Sequence, residues 1–146
     1  MAWEFEPGFA FNKPSEVVRV VEEVDNDNFG VMFDTCHGYM VACTGARQPG
    51  KKEILPGGVV ELAGKLRGKI NHIHLIDSDG TLHGDETSTH APFGGGKIDF
   101  DTLMPELGKN DMGHDWWTID LCFWADAWAV TAKCKKAVDA LNRKYG

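Results

Sequence analysis

The chain has 146 residues, of which 42% are hydrophobic and 25% are charged, as is typical of a folded globular domain. Its formal net charge of -7 disfavours nucleic acid as a partner, because an acidic surface repels a phosphate backbone. No apolar run reaches about 18 residues, so we expect no membrane-spanning helix and no membrane partner. The N-terminal segment MAWEFEPG lacks the basic region of a signal peptide, and we expect a cytoplasmic protein.

The first half of the chain predicts two strand-and-helix units. The first is a strand over Ala2–Glu6 followed by a helix from about Pro14 to Val24, in which valines recur at helical spacing. The second begins with a short apolar strand over Gly30–Phe33. A long loop over Thr35–Pro56, interrupted by glycine and proline, leads to a helix near Gly58–Arg67.

The second half predicts two more units. A strand over Lys69–Ile76 is followed by a long glycine-rich loop and a short helix over Phe100–Leu107, capped by Asp99 or Asp101. The last unit is a strand over Trp116–Phe123 and a helix over Ala127–Lys144. Strands that alternate with helices predict a parallel sheet, so we expect one α/β domain over residues 1–146.

Each predicted strand carries a polar residue at or near its carboxyl end, where functional groups collect in parallel α/β folds. These residues are Glu6, Asp34, His74 and Asp120. Three carboxylates and one imidazole form a mixed oxygen and nitrogen donor set. Such a set suits a divalent metal such as Mn²⁺, Mg²⁺, Co²⁺ or Zn²⁺.

Each of these residues also has a purely structural explanation. An aspartate after a strand often caps a helix, and Asp120 could face a buried basic partner. His72 and His74 lie on one face of a strand, where a histidine is often just a hydrogen-bonded core residue. On the pattern alone, a metal site and a set of caps and turns both remain open.

Five short motifs, in this order, carry a resemblance to a known superfamily: FEPGF (5–9), FDTCH (33–37), INHIHLID (70–77), HAPFGGGKIDF (90–100) and TIDLCFW (118–124). The series resembles the sugar isomerase/epimerase superfamily, whose barrel is shared with xylose isomerase and endonuclease IV. It covers nearly the whole chain. It implies a TIM-barrel fold and, most specifically, a likeness to ketose 3-epimerases.

The resemblance implies roles for individual residues. Glu6, Asp34 and His74 resemble the first three metal ligands of the epimerases, and Asp120 stands where those enzymes have a glutamate. Glu6 and Asp120 would also move the proton next to the substrate carbonyl, so the chain would be a metal-dependent isomerase or epimerase of a sugar. Four further side chains are expected to contact that substrate: His37, His72, His90 and Trp124.

Some positions depart from the family pattern. Gly80 stands where the epimerases often have a substrate-binding arginine, and Asn12 where they tend to have a second glutamate. The identity of the sugar is therefore open. An endonuclease IV-like hydrolase is a less favoured alternative, because Ser88 replaces the aspartate of its zinc motif. The three glycines at 94–96 do not directly follow a predicted strand, so we do not read them as a phosphate cradle.

A complete barrel of this kind has about 250 residues, and four units make only half of one. The motifs match the C-terminal half of the superfamily pattern. An open parallel sheet would expose its edges and its inner face. We therefore expect either a homodimer or a complex with a complementary N-terminal half. A half barrel that binds metal without catalysis is a further alternative.

Overall fold

A computed structural model describes all 146 residues and contains a three-stranded parallel sheet, a β-hairpin and five α-helices. The strands are β1 (Ala2–Glu4), β2 (Gly30–Asp34), β3 (Ile70–His74), β4 (Asp77–His83) and β5 (Thr87–Ala91). The helices are α1 (Pro14–Val24), α2 (Thr35–Tyr39), α3 (Gly58–Lys65), α4 (Phe100–Leu107) and α5 (Ala127–Tyr145). No helix has both the length and the apolar character that a membrane crossing requires.

The parallel sheet has the order β1-β2-β3 and places its carboxyl ends side by side. Glu4 pairs in register with Met32, and Asp34 pairs with His74. Because side chains alternate along a strand, Glu4, Asp34 and His74 share one face. The apolar core, with residues such as Val31 from the sheet, includes buried residues of α1, α3, α4 and α5. The predicted α/β fold with parallel strands is therefore confirmed.

The segment predicted as a long loop after β2 is partly helical. The backbone N–H of His37 donates to Asp34 Oδ1 at 2.8 Å, so that Asp34 caps α2. A π-helical turn over Met40–Thr44 continues it and ends at Gly45, which has a φ of 59°. Gly38 and Gly45 suggested a loop in the sequence. In the structure Gly38 lies inside the helix, where an added Cβ would press on the Phe33 ring.

The second predicted loop contains the antiparallel hairpin β4–β5. Both strands are polar, so they lack the apolar alternation that marks a strand in a sequence. After the hairpin, the carboxylate of Asp77 accepts hydrogen bonds from the backbone N–H groups of Gly94, Gly96 and Ile98, at 3.0–3.1 Å. The glycine-rich turn is thus closed around the protein's own carboxylate.

The predicted fourth strand over Trp116–Phe123 is not formed as such. Only Thr118 pairs with the sheet, through one parallel bridge to His74. Its N–H donates to the Ile73 carbonyl at 3.1 Å, and its carbonyl accepts from Leu75 N at 2.7 Å. Phe123, at the end of the segment, has a φ of 61°, which is outside the extended region. The chain therefore crosses the sheet edge at a single residue and then turns.

Candidate metal centre

Four side chains meet at the carboxyl end of the parallel sheet: Glu4, Asp34, His74 and Asp120. Each offers one ligand-type atom, and these atoms lie within 4.8 Å of one another. The first three sit at the last residues of β1, β2 and β3. Asp120 arrives from the segment that bridges to His74 through Thr118. We call these four residues the strand-end group.

The two carboxylate oxygens of Asp34 have different roles: one caps a helix and the other faces the candidate metal centre. Oδ1 accepts the helix-capping hydrogen bond from His37 N. Oδ2 lies 3.7 Å from His74 Nδ1 and 3.4 Å from His90 Nε2, and it is buried without a hydrogen-bond partner. The helix cap thereby fixes the direction in which the second oxygen points. The structural and functional explanations of Asp34 both apply to the same side chain.

His74 lies among the three carboxylates of the group. Its Nδ1 atom is 3.4 Å from Asp120 Oδ2 and 3.5 Å from Glu4 Oε1, yet it is buried without a hydrogen bond. Asp120 is held by its other oxygen, which accepts from Cys122 N at 2.8 Å. The ligand-type atoms therefore point inward, towards a common centre.

The protonation of the group reflects this crowding. Burial and the neighbouring Asp34 carboxylate raise the pKa of Glu4 above its ordinary value. Burial alone would raise the pKa of Asp34 and of Asp120, but the neighbouring histidines outweigh it and both pKa values are lowered. The Asp120 carboxylate in turn raises the pKa of His74. The same carboxylates outweigh burial at His90 and raise its pKa, whereas burial lowers the pKa of His37.

Glu6, named from the sequence as a ligand and proton carrier, lies outside the strand-end group, and Glu4 takes that place. The two glutamates are two residues apart, so strand alternation alone puts both on the same face. The difference arises because β1 ends at Glu4, and Pro7 is buried as the chain turns away. The Glu6 carboxylate instead accepts a hydrogen bond from Thr87 Oγ1 and lies 3.9 Å from His37 Nε2.

His37 and His90 flank the strand-end group in the interior. The His37 ring is buried, and its Nδ1 is 2.8 Å from Ser88 Oγ. The His90 ring is also buried, and neither of its nitrogens has a hydrogen-bond partner. The two rings meet edge to face at 4.9 Å, and with Asp34 they form a second set of ligand-type side chains. These two of the three predicted substrate-binding histidines therefore lie within reach of the group.

His72 and Trp124 lie further away. His72 packs against His74 with ring centroids 5.5 Å apart, and its Nε2 is 2.9 Å from Thr118 Oγ1. Its ring also contacts His114 and Trp116. Trp124 does not line the cleft that opens beside Glu6, whereas its neighbour Phe123 does.

That cleft has a volume of about 420 Å³ and adjoins the strand-end group through Glu6 and His37. It contains one exposed cationic side chain, Arg47, and two exposed aromatic rings, Phe9 and Phe123. None of these three was predicted as a site residue: Phe9 and Arg47 were placed in loops, and Phe123 at the end of a predicted strand.

The fold and the site together define a class: an α/β barrel-type protein with ligand-type residues at the carboxyl ends of parallel strands. The chain belongs to the family described as xylose isomerase-like TIM barrel, which matches residues 1–143. A search of curated proteins found no match.

Two solved structures share the fold. A xylose isomerase domain protein from Planctomyces limnophilus superposes with a TM-score of 0.65 at 16% sequence identity, over 99% of this chain and 45% of its own. The IOLI protein, whose structure was solved with a zinc atom bound, superposes with a TM-score of 0.63 at 22% identity, over 99% of this chain and 49% of its own. The chain thus spans about half the length of either structure.

Proposed function

We propose that the chain carries the metal centre of a divalent-metal-dependent sugar isomerase or epimerase, which moves a proton next to a substrate carbonyl. The observation that supports this most directly is the convergence of Glu4, Asp34, His74 and Asp120 within 4.8 Å. The xylose isomerase-like family and the zinc bound by the similar IOLI protein support the same assignment.

The donor set fits a divalent cation. Three carboxylates and one imidazole are ligands that Mn²⁺, Mg²⁺, Co²⁺ and Zn²⁺ accept. Asp34 Oδ2 and His74 Nδ1 are buried without partners, and such groups cost free energy unless something binds them. A cation between the four residues would satisfy both atoms and relieve the repulsion among the carboxylates.

The chemistry requires a proton to leave and return at the carbon beside a carbonyl. A bound cation would supply a Lewis acid that polarises the carbonyl. Glu4 and Asp120 are the two carboxylates of the group that no helix cap restrains, and we assign to them the removal and return of the proton. In this scheme Glu4 takes the role that the sequence suggested for Glu6. His37 and His90 bind substrate oxygens from the buried side.

The first experiment is metal analysis by mass spectrometry of dialysed protein. We expect near-stoichiometric metal in the unmodified chain after incubation with Mn²⁺, Co²⁺ or Zn²⁺, and its loss in Asp34→Ala. Asp27→Ala is the matched control, because Asp27 is exposed and precedes the start of β2, whereas the strand-end group lies at the opposite, carboxyl end of the strand. Metal retained equally by all three proteins would contradict the proposed centre.

The second experiment tests the reaction. Metal-loaded protein is incubated with ketoses in heavy water, and NMR follows uptake of deuterium at the carbon beside the carbonyl. We expect uptake in the unmodified chain and at least about a hundredfold slower uptake in Asp120→Asn, as for loss of a general acid–base group. Glu22→Gln, a change of an exposed residue on α1, is the control.

A second candidate is a half barrel that binds metal without catalysis. The observation that favours it is the coverage, since the chain matches only 45% and 49% of the two similar structures. This candidate predicts metal binding that depends on Asp34, together with no deuterium uptake from any ketose. The two experiments above therefore separate it from the isomerase or epimerase.

A further inference from the structure

The cleft beside Glu6 has the composition of a carbohydrate subsite. It is lined by two aromatic rings and four polar side chains: Phe9, Phe123, Glu6, Arg47, Glu86 and Thr87. Phe9 and Phe123 are 57% and 62% exposed, although a large apolar side chain gains free energy by burial. Aromatic faces that stay open beside planar polar groups suit the C–H face and hydroxyl groups of a sugar.

The aromatic wall of the cleft, formed by Phe9 and Phe123, is held in part by contacts within the protein. The Phe123 ring stacks on His83 with centroids 5.1 Å apart and an interplanar angle of 7°. Phe123 also has a φ of 61°, and Arg47 a φ of 53°, so two residues that line the cleft have a backbone conformation that side chains rarely adopt. Such conformations persist only where the surroundings hold them, and they concentrate at binding sites.

The Arg47 side chain is held by a hydrogen bond to a residue of another loop. Its Nη1 atom donates to the Asp85 carbonyl at 2.8 Å, and its guanidinium lies close to Gly8. An added Cβ at Gly8 would come within 3.0 Å of the guanidinium carbon, and Gly8 itself has a φ of 87°. Glycine at this position therefore gives the guanidinium room to lie over the loop.

The charges of the cleft favour an uncharged ligand. Glu6 and Glu86 contribute two carboxylates, whereas Arg47 contributes one guanidinium, of which one N–H already donates to the Asp85 carbonyl. A phosphate or carboxylate group would meet more negative than positive charge here, and like charges in an interface weaken binding. Sugar hydroxyls both donate and accept, so they can pair with either kind of group.

We infer that this cleft binds the part of the substrate remote from the reacting carbon, and that it selects an uncharged ketose over a sugar phosphate or sugar acid. The inference rests on the proposed function for the position of the reacting carbon. Glu6 joins the two regions, because its carboxylate lies 3.9 Å from His37 Nε2, which lies 3.9 Å from Glu4. Phe9 and Phe123 provide the aromatic faces for the sugar, and Glu6 and Glu86 disfavour a charged substituent.

Saturation-transfer NMR on the zinc-loaded chain tests the preference. The ligands are D-fructose, D-tagatose and L-sorbose, compared with the 6-phosphates of fructose and tagatose. We expect the chain to bind at least one uncharged ketose more tightly than either phosphate. Glu86→Gln should reduce the difference in affinity between the ketose and the sugar phosphates, because removal of a carboxylate should improve phosphate binding. Tighter binding of the phosphates by the unmodified chain would overturn the inference, as would binding of none of the sugars by protein that holds zinc.

Variants of Phe123 test the aromatic wall. Phe123→Ala should weaken ketose binding roughly fivefold to tenfold, and Phe123→Tyr should restore it. Trp128→Ala is the control, since Trp128 is 93% exposed and does not line the cleft. Equal binding by Phe123→Ala and the control would contradict the subsite. The series is repeated without metal, so that failure to bind zinc counts against the metal centre while the Phe123 comparison still decides the cleft.

Discussion

At the scale of single residues, the site depends on side chains whose two polar atoms have different roles, one structural and one facing the site. Asp34 caps α2 with one oxygen and turns the other towards His74 and His90. A sequence shows that an aspartate follows a strand, but it does not show whether the residue caps a helix or faces a site. Here one position does both, because the cap sets the orientation of the carboxylate.

The choice between Glu4 and Glu6 shows where sequence reasoning stops. Glu4 and Glu6 are two residues apart, so an extended strand puts both side chains on one face. The Glu-Pro sequence at residues 6 and 7 favoured Glu6 as the ligand. The structure places Glu4 with Asp34, His74 and Asp120, since β1 ends two residues earlier than the pattern suggested. The end point of a short strand depends on tertiary packing, which local pattern does not encode.

We predict a pH-dependent contribution of His74 to the stability of the metal-free chain. The Asp120 carboxylate raises the pKa of His74 above the ordinary 6.5, so the folded state binds this proton more tightly than the unfolded state. The resulting stabilisation is fully present below pH 6.5 and is lost as the pH rises through the raised pKa. Urea unfolding of the unmodified chain and of His74→Gln should therefore differ more at pH 6 than at pH 9. A difference between the two proteins that is the same at pH 6 and pH 9 would contradict this prediction.

A second prediction concerns Gly96. An added Cβ here would overlap the Asp77 carboxylate and the Ser78 carbonyl, and the backbone N–H of Gly96 donates to Asp77 at 3.0 Å. We expect Gly96→Ala to lower the free energy of unfolding by about 1–3 kcal/mol, as overpacked interiors do. Gly108→Ala is the control, because its added Cβ meets only the Met104 carbonyl at 3.4 Å. A thermal denaturation series that shows equal loss for both would contradict this explanation.

At the scale of elements, the chain is predictable where its periodicity is strong. The helices over Pro14–Val24 and Phe100–Leu107 have the predicted bounds, since their apolar spacing and proline or cap signals agree. The hairpin β4–β5 was missed because its strands are polar. The segment over Trp116–Phe123 is apolar enough for a strand, but only Thr118 finds a pairing partner on β3.

The helix α4 gives a prediction at this scale. Its N-cap residue Asp99 accepts hydrogen bonds from Asp101 N at 3.0 Å and Thr102 N at 3.3 Å. Asp99→Ala should lower the free energy of unfolding by about 1 kcal/mol, the usual cost of losing a helix cap. Asp99→Asn should retain most of it, because an amide oxygen also accepts. Urea denaturation measures both, and an unchanged midpoint in Asp99→Ala would show that the cap contributes nothing.

At the scale of the whole molecule, the parallel sheet remains open. β1 pairs only with β2, and β3 has a single bridge to Thr118 on its other side. The face that carries the strand-end group also presents Trp116, which is 58% exposed and packs on His72. Unpaired parallel edges and exposed aromatic side chains favour association with another sheet.

We predict that the isolated chain forms a dimer. Light scattering after size-exclusion chromatography should give a mass near twice 16.1 kDa. Trp116→Glu should shift it towards the monomer by placing a charge on the inner face, whereas Trp128→Glu on α5 should not. A stable monomer of the unmodified chain at high micromolar concentration would contradict the homodimer and leave a complementary half barrel as the expected partner.

The backbone N–H groups of the glycine-rich turn bind the Asp77 carboxylate as they would bind a small anion. The carboxylate oxygens accept from the backbone of Ser78, Gly94, Gly96 and Ile98, all at 2.8–3.1 Å. Removal of the side chain in Asp77→Gly would leave these donors around a space the size of a carboxylate. Small anions should then complement the variant: formate should raise its melting temperature in a saturable way, and the same concentrations should leave the unmodified chain unchanged. The turn would in that case act as an anion sensor created by a single substitution.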